Sequence, residues 1–357
     1  MWKRKYLLCL EILVLCAIGL AMVYSSSYLW AQYKFNDVAF YVKRQFVFMI
    51  VGFVVMYFFS KINLLKLRRY NKILFIIGVF LLIAVLIPGL GVERNGSRSW
   101  FALASFQFQP SELFKIILIF CVSDDLAKKR KIAHLKDIVK PLLMTFLGFL
   151  LLLMQPDFGS GMVMVCSIIV ILFCARLPLR YFVYVAFLGF VGLSGLIISA
   201  PYRMERILSF LDPWSDPLGS GFQIIQSLYA LGPAGLFGGG LNGSIQKHFY
   251  LPEPQTDFIF AIFGEEMGFL GCGLLLLLYL LIIYEGIMIA LETNDTYLSY
   301  VSIGLISLFA IQVMINLGVV VGLFPVTGIT LPLLSYGGSS IIVMLSCFGI
   351  LISNTKH

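Results

Sequence analysis

Asp257 is the carboxylate best placed to do chemistry. It ends the stretch Tyr250-Leu251-Pro252-Glu253-Pro254-Gln255-Thr256-Asp257, whose two prolines hold the chain extended before a long apolar run begins. A carboxylate in such a place is either the anion at a helix N-terminus or, when partly desolvated, a general base that takes a proton from a sugar hydroxyl. Glu265 follows about two helical turns later, on a similar face and roughly 12 Å deeper. Glu112 and Lys115, in Gln109-Pro110-Ser111-Glu112-Leu113-Phe114-Lys115, are three apart, so on a helix they share a face and neutralise each other. Ionised groups this close to apolar sequence mark a functional site or a structural ion pair between helices. Arg44 and Arg98 sit at the edges of apolar runs, where an arginine either snorkels to headgroups or binds a phosphate. Lys247 and His248 are further candidate contacts for an anionic substrate.

Other chemistries drop out. The sequence has no GxxxxGK[ST], HExxH or GxSxG motif, which removes the P-loop, zincin and nucleophile-elbow classes. Gly232-Pro233-Ala234-Gly235-Leu236-Phe237-Gly238-Gly239-Gly240 lacks the strand-then-helix context of a dinucleotide cradle and reads as a tightly turning loop. His134, His248 and His357 are scattered and make no metal cluster. The seven cysteines lie singly in apolar runs, without a CxxC pair, as core or lipid-facing side chains.

The elements that must position these residues are membrane helices. Of 357 residues, 60% are hydrophobic and 12% charged, where a soluble domain carries about a quarter charged. Continuously apolar runs predict spans at 7–27, 45–62, 73–91, 110–126, 138–154, 159–175, 180–200, 258–284, 297–323 and 330–352. The expected fold is therefore an all-α integral membrane protein of ten transmembrane helices, a single polytopic domain over residues 1–357. Glu11 interrupts the first run and no small-x-small cleavage site is clear, so it reads as an uncleaved helix rather than a signal peptide. Lys3-Arg4-Lys5 and the basic stretches Lys61 to Lys72 and Lys128 to Lys140 fall on one side, placing both termini in the cytoplasm. The same distribution accounts for the net charge of +8 by topology and anionic lipid, without nucleic acid. One long extracytoplasmic loop, 201–257, joins helices 7 and 8, with a turn cluster at Asp212 to Pro217 and a short interfacial helix at Phe222 to Tyr229. Pro and Gly interruptions at Gln155 to Gly159 and Phe324 to Gly328 predict broken helices around a cavity.

Several segments, in this order, resemble the SEDS family (shape, elongation, division and sporulation), which includes FtsW, RodA and SpoVE. They are Val23-Tyr24-Ser25-Ser26-Ser27, Lys43-Arg44-Gln45, Arg98-Ser99-Trp100, Gln109 to Lys115, Gln155-Pro156-Asp157-Phe158-Gly159, Leu251 to Gly268, and Pro332-Leu333-Leu334-Ser335-Tyr336-Gly337-Gly338-Ser339-Ser340. The Pro-Glu-Pro-Gln-Thr-Asp version is most similar to the division and sporulation branch. The resemblance implies a glycosyltransferase that polymerises lipid II into peptidoglycan outside the cytoplasmic membrane, at the division septum. It implies a class B penicillin-binding protein as transpeptidase partner, together with membrane lipids and other division or sporulation proteins. Asp257 takes the position of the family's essential aspartate, and Glu112, Lys115, Ser339 and Ser340 fall on its motifs as residues that position substrate or shape the cavity. Positive charge for the departing lipid diphosphate would come from Arg44, Arg98, Lys115 or a divalent metal ion, Mg²⁺ or Mn²⁺, and no organic cofactor is expected. The rival readings are a lipid II flippase, which the interruptions and the ionisable Asp157, Glu265 and Glu266 would suit, and a division scaffold.

Overall fold

The computed structural model describes residues 2–94, 96–103, 106–129, 132–198 and 201–355. Helix α1 (Trp2–Phe35) runs well past the expected 7–27, because no glycine or proline follows Gly19 until the chain turns at Asn36, whose left-handed φ of 52° ends it. Helix α2 (Phe40–Phe59) starts five residues before its expected span and takes in Lys43 and Arg44. Then come α3 (Leu64–Leu67) and α4 (Asn71–Ala84).

The connection after α4 is a correction to the all-α reading. Strands β1 (Gly91–Arg94), β2 (Ser97–Leu103) and β3 (Phe106–Phe108) form an antiparallel sheet in that order. Its cause is visible in β2, where side chains alternate between two faces. Ser97 and Ser99 point to the protein and donate to the Gln155 carbonyl at 2.5 and 3.2 Å, while Arg98 faces its cross-strand neighbour Glu93.

Helix α5 (Pro110–Ala127) has proline in its first turn and is buried along most of its length. It is followed by α6 (Val139–Met154), α7 (Phe158–Cys174) and α8 (Leu179–Ile198). The long connection between α8 and α11 carries α9 (Pro201–Leu211) and α10 (Phe222–Leu231), the latter on the segment expected to be helical. The chain ends with α11 (Ile259–Glu292), α12 (Thr296–Val320) and α13 (Gly338–Asn354).

Helix α12 is central, packed against α5, α7 and α11, while α2 packs on α13 and α1 on α11. Among the described residues, α1, α2, α11 and α12 are long and apolar enough to cross a membrane, with shorter apolar helices around them. Large apolar side chains point outward, such as Ile76 and Phe80 on α4, Phe146 on α6 and Phe187 on α8. Polar ones, including Gln45, Glu112, Lys115, Glu266, Gln312 and Asn316, are buried. This inversion suits a multi-pass protein solvated by hydrocarbon.

Candidate functional site

Asp257 lies in the turn just before α11. The helix cap is Phe258, which makes no side-chain capping bond, so Asp257 is not the cap of that helix. It is half-buried, and its main chain is held from behind. Asn316 Nδ2, on α12, donates to the carbonyls of both Asp257 and Ile329, each at 2.7 Å. The carboxylate faces Gly328, where a Cβ would stand 3.8 Å from Oδ2.

Gly328 belongs to an irregular segment, 321–337, which corrects the tenth predicted span: α13 begins only at Gly338 rather than near 330. Pro325 and Pro332 deny the segment a helical ladder, so its apolar composition does not make a helix. Its carbonyls find side-chain donors instead. Gln312 donates to Thr330 at 3.2 Å, Tyr279 to Pro332 at 2.8 Å and Gln45 to Ser335 at 3.0 Å. Gln45 also accepts from Gly337 N, and the Gln255 carbonyl accepts from Tyr336 N at 2.8 Å. Each bond replaces one that water would make at a soluble surface, and without it the carbonyl would be orphaned. Ser340 Oγ is 3.5 Å from Thr330 Oγ1, whereas the buried Ser339 Oγ has no hydrogen-bond partner among the described residues.

The other interruption packs against this segment. A Cβ on Gly159, in the first turn of α7, would meet the Thr327 carbonyl and Ile329 at 2.8 Å. Asp157 caps α7 by accepting from Ser160 N at 3.2 Å, and its other oxygen accepts from Gln109 Nε2 at 2.9 Å and Ser111 Oγ at 3.3 Å. One turn further along α5, Lys115 Nζ is 2.8 Å from Glu112 Oε1, with both side chains nearly sealed from solvent and Glu112 Oε2 without a partner among the described residues. The ion pair expected from the spacing forms, within one helix. The motifs at 109–115, 155–159, 251–257 and 324–340 thus form one continuous layer.

The remaining candidate cations are disposed differently. Arg44 lies over the Phe40 ring at 5.2 Å. Arg98 Nη2 pairs with Glu93 at 3.1 Å, so part of its charge is answered within the sheet. Lys247 is a correction: it is wholly buried, 2.7 Å from Glu266 Oε1 and 2.6 Å from Asn242 Oδ1, and does not face an open site. Glu266 also accepts from Ser25 Oγ of α1 at 2.6 Å. Glu265 holds the loop between α10 and α11, accepting from Ser244 Oγ at 2.5 Å and Ile245 N at 2.8 Å. His248, beside this clasp, is exposed.

The clasp depends on a break in α11 that the sequence reading missed. Gly268 has φ 65° and ψ −168° inside the helix. The groups freed there are taken up by the glycine-rich stretch: Gly239 N and Gly240 N donate to the Glu265 and Glu266 carbonyls at 2.9 Å, and Phe269 N and Leu270 N donate to Gly235 and Leu236. That stretch is a backbone docking strip, in keeping with its reading as a turning loop. Sequence reasoning also missed Gln312 and Asn316, although two amides four residues apart in an apolar span are themselves a signal. It passed over Arg206 of α9 as well, whose Nη1 donates to the Val326 carbonyl at 3.2 Å.

The sequence matches the family described as cell cycle protein, FtsW, RodA and SpoVE, over residues 5–357. It is 52% identical over 353 residues to Stage V sporulation protein E of Bacillus subtilis, covering 98% of this chain and 96% of the relative. It is 38% identical to the probable peptidoglycan glycosyltransferase FtsW of Geobacter sp. strain M18, covering 95% and 93%. In three dimensions it is similar to a chain of a peptidoglycan synthase complex described for its coordination of polymerization and crosslinking, with TM-score 0.82, 32% identity and coverage of 98% and 97%. It is also similar to the rod shape determining protein RodA of Thermus thermophilus, with TM-score 0.73, 29% identity and coverage of 98% and 95%.

Proposed function

The chain belongs to the FtsW, RodA and SpoVE family, and from that premise we propose that it is a peptidoglycan glycosyltransferase with Asp257 as its general base. The observation that carries the assignment is the setting of Asp257: a half-buried carboxylate facing the bare side of Gly328, with its main chain fixed by Asn316. A base so placed acts without reorganising its backbone. It takes the proton from the 4-hydroxyl of the acceptor GlcNAc as that oxygen attacks the anomeric carbon of the donor MurNAc. The bond to the lipid diphosphate breaks with inversion, and the diphosphate leaves with the bonding electrons. Glu112, Lys115, Ser339 and Ser340 shape the adjoining layer, and Arg44 and Arg98 supply outer positive charge.

Among the described residues no group of three or more His, Cys, Asp or Glu side chains is placed to hold a metal ion. The described residues thus make no metal site of their own, and a divalent ion, Mg²⁺ or Mn²⁺, would be one carried on the substrate's diphosphate, where it would neutralise charge on the departing group.

In this reading α1, α2, α4 to α8 and α11 to α13 are the ten spans, and both chain ends face the cytoplasm. Arg4 near the start of α1 pairs with Glu292 at the end of α11, and Asn354 at the end of α13 bonds Ser302 near the start of α12, which supports a common side. The substrate is lipid II and the partner a class B penicillin-binding protein. The higher identity to a sporulation protein than to FtsW relatives supports work at a sporulation or division septum. The flippase alternative drew on ionisable groups that prove to be engaged, Asp157 by Gln109 and Glu265 and Glu266 by the clasp.

The test is glycan-chain formation from purified lipid II by this protein with its transpeptidase, read on gels. Polymer from the native protein and none from Asp257→Ala is the expected result. Polymer from a clean Asp257→Ala preparation removes Asp257 as the base, and none from an intact native complex favours a flippase or scaffold.

A further inference from the structure

The departing diphosphate needs hydrogen-bond donors near the reacting carbon, in addition to the charge of Arg44 and Arg98. Lys115 is sealed against Glu112, and Arg98 shares its charge with Glu93. Two donors meet at the segment that faces Asp257, Arg206 of α9 and the segment's own Thr327. Arg206 is exposed, and among the described residues its hydrogen bonding is confined to the Val326 carbonyl at 3.2 Å. A guanidinium has five N–H donors, so most of this one is unspent. Thr327, the next residue, has a buried hydroxyl with no hydrogen-bond partner among the described residues, and Gly328 after it faces the Asp257 carboxylate. Helix α9 sets the depth of this group. Its Leu208 and Leu211 are exposed apolar side chains, while Glu205 and Arg206 are exposed and charged, a pattern suited to a helix lying at the headgroup boundary. A lipid-linked diphosphate occupies that same level.

We propose that Arg206 and Thr327 form the anion seat for the lipid-linked diphosphate, Arg206 exchanging the Val326 carbonyl for a phosphate oxygen. The proposal rests on the glycosyltransferase reading above. As the anomeric C–O bond breaks, its electron pair passes to the diphosphate, which thereby gains one negative charge, and the acceptor's proton passes to Asp257. Arg206 and the Thr327 hydroxyl then meet an anion that is stronger than the bound donor was, which favours bond breaking. Arg206 also links α9 to the segment facing the base, so an arriving diphosphate would free that segment from the helix.

The test uses the full chain with its transpeptidase and lipid II, with undecaprenyl diphosphate and inorganic diphosphate as separate inhibitors. Arg206→Ala, Arg206→Gln and Thr327→Val are compared with the native protein, and thermal unfolding in detergent shows that each is folded. The glutamine variant keeps an N–H for the Val326 carbonyl but carries no charge, so a purely structural latch survives in it. The expected result is that Arg206→Gln behaves like Arg206→Ala. Both should raise KM for lipid II and weaken inhibition by undecaprenyl diphosphate about tenfold or more, with Arg206→Lys in between. Thr327→Val should show a smaller shift in the same direction. Inorganic diphosphate should inhibit weakly throughout if the lipid tail supplies part of the binding. Native-like inhibition by undecaprenyl diphosphate in folded Arg206→Gln would overturn the seat, as would loss in Arg206→Ala that Arg206→Gln restores. Failure of the underlying reading looks different, since the native complex would then make no polymer or Asp257→Ala would still make it.

Discussion

Lys247 Nζ lies 2.7 Å from Glu266 Oε1, and neither side chain is reached by solvent. The two are far from a helical spacing. They meet because the loop before α11 folds back over the broken helix, where Ser25 of α1 adds a second donor to the carboxylate. Lys247 therefore fastens the loop leading to Asp257 onto the membrane helices. Removing one partner leaves a buried charge without its counterion, which costs about 3–5 kcal/mol. Lys247→Met should lower the thermal unfolding midpoint sharply in detergent, and adding Glu266→Leu should restore much of the loss. A single variant as stable as the native protein would show that the pair is not closed in solution.

Asn316 spends both amide hydrogens on the carbonyls of Asp257 and Ile329. Asn316→Ala leaves each carbonyl without this donor, at about 1–3 kcal/mol apiece where no water enters. Asn316→Asp should be worse, because an ionised carboxylate has no hydrogen to give and repels both oxygens. If the amide's work is to hold the base in place, kcat falls while KM for lipid II stays near native, which steady-state polymerisation rates can separate.

The apolar runs, the Pro-Glu-Pro-Gln-Thr-Asp approach to Asp257 and the Glu112–Lys115 pair were all legible, because each depends on composition or on spacing within one element. What escaped depends on contacts between distant segments. Hydropathy extended the last span back to 330 because it registers apolar side chains and is blind to where backbone carbonyls find donors, here Gln45, Tyr279, Gln312 and Asn316. The small sheet was hidden in a polar connection between two strong membrane signals. Lys247 looked like a loop cation because its counterion, Glu266, lies beyond a helix start. Arg206 gave no sign at all, since only the fold brings α9 against Val326.

Gly268 makes the docking strip possible. Its φ of 65° with ψ of −168° lies in a region essentially reserved for glycine and costs a side-chain-bearing residue about 1–3 kcal/mol, and a Cβ would lie 2.3 Å from Gly238 N, inside any contact distance. Neither backbone can yield without breaking the bonds from Gly239 and Gly240, so overpacking adds about 1–3 kcal/mol more. Gly268→Ala should therefore destabilise the protein and expose residues 235–247 to protease. A variant with native unfolding and native cleavage would mean that the helix had simply straightened, with the loop free.

Gly328 poses the opposite case, a position with room but a demanding backbone. Its φ is 73°, so alanine carries about 1–2 kcal/mol of strain, yet the new methyl would lie 3.8 Å from Asp257 Oδ2, an ordinary contact. Gly328→Ala should fold, with a modest drop in its unfolding midpoint. Its activity should fall much further than its stability, because the methyl occupies the space through which an acceptor hydroxyl approaches the carboxylate. Asparagine tolerates the left-handed conformation better than alanine but is bulkier, so the two explanations separate. If backbone strain alone matters, Gly328→Asn should be the more active variant. If space beside Asp257 matters, it should be the less active one, and polymerisation rates measured alongside unfolding midpoints decide between them.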